Sequence, residues 1–201
     1  MAKKTSVGTA LGFVNLVTTG LMAGVKNRDE IDEIVALPES TTKPLIEKFV
    51  RSLRMAAQVA RNIFRIDARG SRTTEQVVAA GNYSWSNPNI NSQLFPMRRC
   101  AGKRDIVLVP MPANFTLEEA LAKLTELNLG RPTYEDGLFF GEQYPEKQRE
   151  NPIMFPHEPV VVDGVPGVVY LWDDDGDREL VLSWADDGWD SIVLVAGVRK
   201  S

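Results

Sequence analysis

The sequence predicts an α+β fold, and three consecutive patterns along the chain support this. Residues 105–111, DIVLVPM, are a short apolar run that is typical of a buried strand. Two helical segments follow between Thr116 and Tyr144, the first with leucines on one face and with Asn114 or Thr116 as its N-cap. Strand-like runs separated by Asp- and Gly-containing turns end the chain, at about 160–163, 167–172, 179–184 and 191–199. One strand, two helices and a C-terminal antiparallel sheet therefore make up the predicted domain.

A pair of helices is predicted before this domain. The uncharged run from Thr5 to Val25 predicts a buried packing helix, and its alternative is a membrane-associated segment through residues 5–25. The second helix is predicted to begin near Lys43, with Pro44 in its first turn. Its apolar positions are spaced four and three apart: Ile46, Val50, Leu53, Ala57, Ala60 and Phe64.

The stripe next to these apolar positions is mostly arginine. It contains Glu47, Arg51, Arg54, Gln58, Arg61 and Arg65. An apolar stripe beside a charged one predicts helix packing or a homo-oligomer formed through residues 7–65. Because no aromatic residue alternates with the arginines, the pattern does not favour a nucleic-acid partner.

These patterns divide the chain into three segments. Residues 1–70 are predicted to be a helical assembly or packing segment, residues 71–104 a loop-rich connector, and residues 105–201 the α+β domain. The charge changes sign where the third segment begins. Residues 1–104 contain 16 Lys and Arg against 8 Asp and Glu, and residues 105–201 contain 7 against 19. An acidic C-terminal half that also carries tryptophans favours binding over catalysis.

Composition excludes several kinds of site. One cysteine and one histidine rule out an internal disulfide framework, a Cys-cluster zinc site and a His-rich metal site. The lone cysteine and the lack of a clear secretion signal favour a cytoplasmic location.

The candidate binding residues are aromatic and acidic side chains near the ends of the last strands. Aromatic faces supply contact area at a small entropic cost, and carboxylates attract cationic or hydroxyl-rich partners. We therefore expect a non-enzymatic ligand-binding or protein-interaction module for a protein or a small polar ligand. The alternative is that the tryptophans are core residues and the aspartates form turns. The candidate residues are Tyr170, Trp172, Trp184, Asp186, Asp187, Trp189 and Asp190.

A second candidate site is the acidic turn in which carboxylates occupy every second position. Its residues are Asp173, Asp175, Asp177 and Glu179, and this spacing is used by loops that bind calcium or magnesium. Such a site would favour a divalent-cation-dependent hydrolase. Arg178 stands where such loops place glycine, and Trp184 stands where they place a closing carboxylate, so a polar hairpin turn is the alternative.

The last 120 residues resemble a known group of sequences. The pieces NYSWSNPNINSQLFP, LGRPTYEDGLFFGEQYPEKQRENPI and the terminal GVRK are similar to an uncharacterised family of hypothetical proteins from candidate-phyla (Patescibacteria-type) bacteria, over about residues 82–200. The element order is also similar to that of C-type-lectin-like domains. That resemblance implies a binding surface on the last strands and their loops, and it remains a fold analogy because the chain lacks the lectin disulfides and calcium motif.

Overall fold

The computed structural model describes residues 36–68, 71–98 and 102–200. The first helix of the predicted pair and the alternative membrane segment lie outside the described residues. The chain divides into two units, Met1–Leu53 and Arg54–Ser201. None of the helices in the described ranges is long and apolar enough to cross a membrane.

Helix α1 spans Glu39–Arg61, so it begins and ends before the predicted positions. The prediction that the apolar and arginine stripes continue to Phe64 and Arg65 is wrong, because these two residues lie in strand β1, Ile63–Asp67. Strand β1 pairs antiparallel with a later strand in which Val107 faces Ile63. Sheet hydrogen bonds therefore replace the helical ones at these residues.

The described part of the second unit confirms the α+β class. Its remaining helices are α2 (Thr74–Ala80), α3 (Leu117–Glu126), α4 (Tyr134–Gln143) and α5 (Lys147–Glu150). Its remaining strands are β2 (Trp85–Ser86), β3 (Lys103–Pro110), β4 (Leu129–Gly130), β5 (Ile153–Met154), β6 (Val160–Val162), β7 (Val165–Asp174), β8 (Asp177–Trp184) and β9 (Leu194–Arg199). Residues 71–104, predicted to be a connector, thus contain α2, β2 and the first two residues of β3.

The strands form one mixed sheet in the order β1-β3-β9-β5-β7-β8-β2, with β4 beside β9 and β6 beside β7. The predicted hairpins at both ends of β7 are confirmed, since β6 and β8 each pair with it antiparallel. The predicted hairpin between β8 and β9 is wrong. Strand β9 pairs antiparallel with β3 and parallel with β5, far from β8.

Helices α2, α3 and α4 each begin with a capping box. Thr73, Thr116 and Thr133 accept a hydrogen bond from the backbone of the third helical residue, whose side chain accepts one in return. The expectation that Asn114 or Thr116 caps the first helix of the domain is thus settled in favour of Thr116.

The core has two clusters on opposite faces of the sheet. Alternate residues of β7 separate them, because Val169 and Leu171 belong to one cluster and Val168 and Tyr170 to the other. We call these the first face and the second face. Helix α4 supplies Leu138, Phe139 and Phe140 to the first face, and α3 supplies Ala120 and Leu124 to the second.

Candidate functional site

An open groove of about 420 Å³ lies beside the β7–β8 hairpin, and it is entirely within the second unit. We call it the aromatic groove. It is lined by Tyr170, Trp172, Val181, Leu182, Ser183, Trp184, Asp187, Gly188 and Trp189.

The floor of the aromatic groove comes from the second face of the hairpin. Tyr170 lies opposite Val181, and Trp172 lies opposite Glu179, in the antiparallel register. Because residues two apart on a strand share a face, the rings of Tyr170 and Trp172 lie side by side, with centroids 6.1 Å apart and planes 22° apart. Burial raises the pKa of Tyr170 to about 12, so its hydroxyl is uncharged at neutral pH.

The register of the hairpin is fixed by its turn. Asp175 and Gly176 both adopt positive φ, 49° and 99°, which is the geometry of tight hairpin turns with an Asp-Gly sequence. A one-residue slip would move Tyr170 and Trp172 to the first face, so this turn determines which side chains line the aromatic groove.

One wall of the aromatic groove is the segment after β8. The Trp189 indole Nε1–H donates to the Oγ of Ser183 at 2.9 Å, and the Trp189 ring lies 5.7 Å from that of Phe115. The backbones of Trp189 and Phe115 also exchange two hydrogen bonds, of 2.9 and 3.0 Å. This segment is therefore held against the second face.

Asp187 hydrogen-bonds the backbone of Trp184, the last residue of β8. Its backbone N–H donates to the Trp184 carbonyl at 3.1 Å, and its Oδ2 accepts from the Trp184 backbone N–H at 3.3 Å. Asp187 is exposed and lines the groove.

The structure brings together five of the seven predicted binding residues. Tyr170, Trp172, Trp184, Asp187 and Trp189 line the aromatic groove. Trp184 lies two residues after Leu182, so its side chain is on the first face, where its ring lies beside Gly167, and it only borders the groove at the end of β8. Asp186 and Asp190 are exposed but do not line it, and Asp190 accepts hydrogen bonds from Ser191.

The alternative that the tryptophans are core residues holds for part of the set. Trp189 is only 5% exposed and belongs to the core of the second face, whereas Trp184 is 37% exposed. The groove is thus lined by both core residues and exposed residues.

Sequence reasoning did not select Val181, Leu182, Ser183 or Gly188 as groove residues. The alternation in ELVLSW would have placed Val181 and Ser183 on one face together, opposite Tyr170 and Val168. For Gly188 no such signal exists, because its position depends on where the segment after β8 crosses the sheet.

The acidic turn uses its carboxylates for local contacts. Asp173 accepts from the Gly176 N–H and from the Arg149 guanidinium, both at 3.0 Å, and Asp177 accepts from the Ser84 hydroxyl at 3.0 Å. Asp175 is at the tip, and Glu179 points to the second face opposite Trp172. Among the described residues, no three His, Cys, Asp or Glu side chains come together as metal ligands. The calcium or magnesium site stays a prediction, and calorimetric titration with either ion tests it.

A buried arginine on the first face was also missed. Arg178 donates to the carbonyls of Gly81 at 2.7 Å and Gly141 at 2.8 Å, and to Oε1 of Gln148 at 3.0 Å. Its guanidinium lies 4.8 Å from the ring centroid of Tyr83. Burial lowers the pKa of Arg178, and these contacts tie α2, α4 and α5 to β8. They support the hairpin from the side opposite the groove.

Comparison with protein-family models, with curated proteins and with solved structures finds no match to this chain. The resemblance to the bacterial family and to C-type-lectin-like domains therefore stays a prediction.

Proposed function

We propose that this protein is a non-enzymatic binding module that holds its ligand in the aromatic groove. The observation that carries the proposal is the convergence of Tyr170, Trp172 and Trp189 beside Asp187 in one open groove. Concave surfaces that combine aromatic faces with a few polar groups are typical of binding sites.

Two rings of the groove are held by contacts within the protein. Trp189 is fixed by Ser183 and Phe115, and Tyr170 packs in the core of the second face. A ligand therefore does not have to order these side chains when it binds, and this lowers the entropic cost of association.

The chain's one histidine takes no part in the groove. His157 is buried among residues of the first face, where its Nε2 accepts from the Val169 backbone N–H at 2.8 Å and its Nδ1 lies 2.6 Å from the Glu158 carbonyl. Both ring nitrogens are thus engaged with the backbone. The imidazole is not presented to the groove as a general base.

An NMR titration tests the proposal. Isotope-labelled full-length protein is titrated with a panel of short cationic, neutral and anionic peptides and of neutral oligosaccharides. We expect at least one class to give saturable shifts confined to groove residues. If no class does so at millimolar concentration, the proposed function is wrong.

Two variants locate the binding surface. Trp172→Ala removes a groove ring, and Phe49→Ala removes an exposed ring on α1 that does not line the groove. Binding should be lost in the first variant and retained in the second, with both variants folded. Equal loss in the two variants would contradict binding in the aromatic groove.

The described part of the first unit supports a second proposal, self-assembly through α1. Leu45, Ile46 and Phe49 are exposed on this helix, Ile46 by 60%. Exposed apolar residues at helical spacing are typical of helix–helix interfaces. Light scattering of the full chain and of an Ile46→Ser, Phe49→Ser double variant tests it, because an oligomer should dissociate only in the variant. A monomer in both would exclude assembly through this helix.

A further inference from the structure

We infer that the ligand of the aromatic groove is a basic peptide segment, bound through a lysine or arginine side chain. This inference rests on the proposed function, because it names the ligand class of the same groove.

Uncompensated acidic charge at the groove is the first reason. None of the nine lining residues is basic, and Asp187 is exposed among them. Glu179 lies opposite Trp172 on the same face, partly exposed. Neither carboxylate forms an ion pair with a described residue, whereas Asp173, on the first face, is paired with Arg149. The free negative charge is therefore on the groove side of the hairpin.

The arrangement of the rings is the second reason. A cation is attracted to the negative face of an aromatic ring, and tryptophan is the strongest partner. In the described chain, cation–π contacts involve the rings of Phe64, Tyr83, Tyr134 and Phe139, all outside the groove. No described cation lies over Trp172. A ligand cation over the Trp172 ring would be on the same face as Glu179, so it would meet a ring face and a carboxylate together.

The backbone of β8 favours a peptide over a free amine. The carbonyls of Arg178 and Leu180 accept from the N–H groups of Ser84 and Asn87, both at 2.8 Å. Even-numbered residues of β8 thus direct their backbone groups toward the β2 side, and Leu182 is the next residue in this series.

Strand β2 ends at Ser86, which pairs with Leu180, so Leu182 lies beyond it. The next outward residue, Trp184, is already bonded by Asp187. No described residue hydrogen-bonds the outward N–H or C=O of Leu182, and Leu182 lines the groove. An extended peptide pairing there would place alternate side chains beside Val181 and Ser183, which lie on the groove face of β8.

The experiment uses acetylated and amidated peptides of equal length that differ at one central residue. The central residues are lysine, arginine, norleucine and glutamate, and an uncharged oligosaccharide is titrated in parallel. Norleucine keeps the aliphatic chain of lysine without its charge. We expect the lysine or arginine peptide to bind about 10-fold more tightly than the norleucine peptide, and binding to weaken as salt is raised.

A matched pair of charge variants tests the role of Asp187. Asp187→Asn keeps an oxygen acceptor for the Trp184 N–H, and Asp163→Asn makes the same charge change in the β6–β7 turn, which does not line the groove. Asp163 is exposed with φ 51°, which asparagine also adopts, so this control should fold normally. We expect about a 3-fold or larger loss of affinity for the lysine peptide with Asp187→Asn alone.

The outcomes separate the inference from the proposed function. If the norleucine peptide binds as tightly as the lysine peptide, or if only the oligosaccharide binds, the basic-peptide inference is wrong while a binding groove remains. If none of the probes binds, the inference and the proposed function are both wrong.

Discussion

The Trp189 indole N–H donates to the Ser183 hydroxyl at 2.9 Å, and this hydrogen bond joins the segment after β8 to the strand itself. Trp189 is only 5% exposed, so its polar N–H would otherwise be buried without a partner. The same contact places Trp189 in the wall of the aromatic groove. This hydrogen bond thus contributes both to core packing and to the shape of the groove.

Replacing Ser183 with alanine is expected to lower the free energy of unfolding by about 1 to 2 kcal/mol, because the buried indole N–H loses its acceptor. Urea denaturation measures the change. Ser191→Ala is the control, since the Ser191 hydroxyl is exposed and bonds only to the adjacent Asp190. Equal stability of Ser183→Ala and wild type would mean that the hydrogen bond does not stabilise the wall.

Replacing Arg178 with methionine is expected to destabilise the protein by about 2 to 4 kcal/mol. The substitution leaves the carbonyls of Gly81 and Gly141 and the amide oxygen of Gln148 without their donor. Arg149→Met is the matched control, because the Arg149 side chain is 38% exposed and bonds at the protein surface. Chemical denaturation should show a much smaller loss of unfolding free energy for the control. Equal losses in the two variants would mean that the buried hydrogen bonds of Arg178 do not account for the destabilisation.

Stability should decrease as the pH falls from about 6.5 toward 5, because of His157. Burial lowers the pKa of His157 to about 4, so the unfolded chain binds a proton in this range and the folded chain does not. The slope should approach about 1.4 kcal/mol per pH unit. Denaturation at a series of pH values measures it.

The control for this slope is His157→Gln, which removes the chain's one histidine. This variant should be less stable at pH 7 and nearly independent of pH between 6.5 and 5. Below that range carboxylates also titrate, including Glu75, whose pKa is lowered to about 2 by hydrogen bonds from Ser92. A slope that persists in the variant would assign the effect to another group.

Gly141→Ala is expected to destabilise the protein although alanine favours helices. A Cβ at this position in α4 would lie 1.9 Å from the Tyr83 hydroxyl oxygen and 3.0 Å from Leu171 Cδ2. Tyr83 is a rigid ring with a buried hydroxyl, so it cannot move away without disturbing the contact with Arg178. We expect a loss of about 1 to 3 kcal/mol in thermal or urea unfolding.

Gly188→Ala is the control for this steric effect. A Cβ at Gly188 meets no atom within 4 Å, although the residue lines the aromatic groove. Its stability should stay close to that of the wild type. Comparable losses at the two glycines would contradict the steric explanation.

The sequence by itself determined the local features of this protein. The Asp-Gly turn between β7 and β8, the capping threonines and the strand alternation that places Tyr170 beside Trp172 each depend on residues within a few positions of one another. Turn chemistry, capping and side-chain alternation are short-range effects, so they can be recognised in one sequence. The α+β class follows from these elements.

Only the tertiary structure decided how distant segments meet. The segment ADDGWD, residues 185–190, has the composition of a hairpin turn between β8 and β9. Strand β9 nevertheless lies between β3 and β5, because in that position its apolar residues are buried on both faces of the sheet. Phe64 continued a helical pattern, yet it pairs in the sheet with Ile106. Such pairings depend on which apolar faces bury one another, and a local pattern does not specify the partner. The position of Trp189 beside Ser183, and therefore the aromatic groove, follows from that long-range packing.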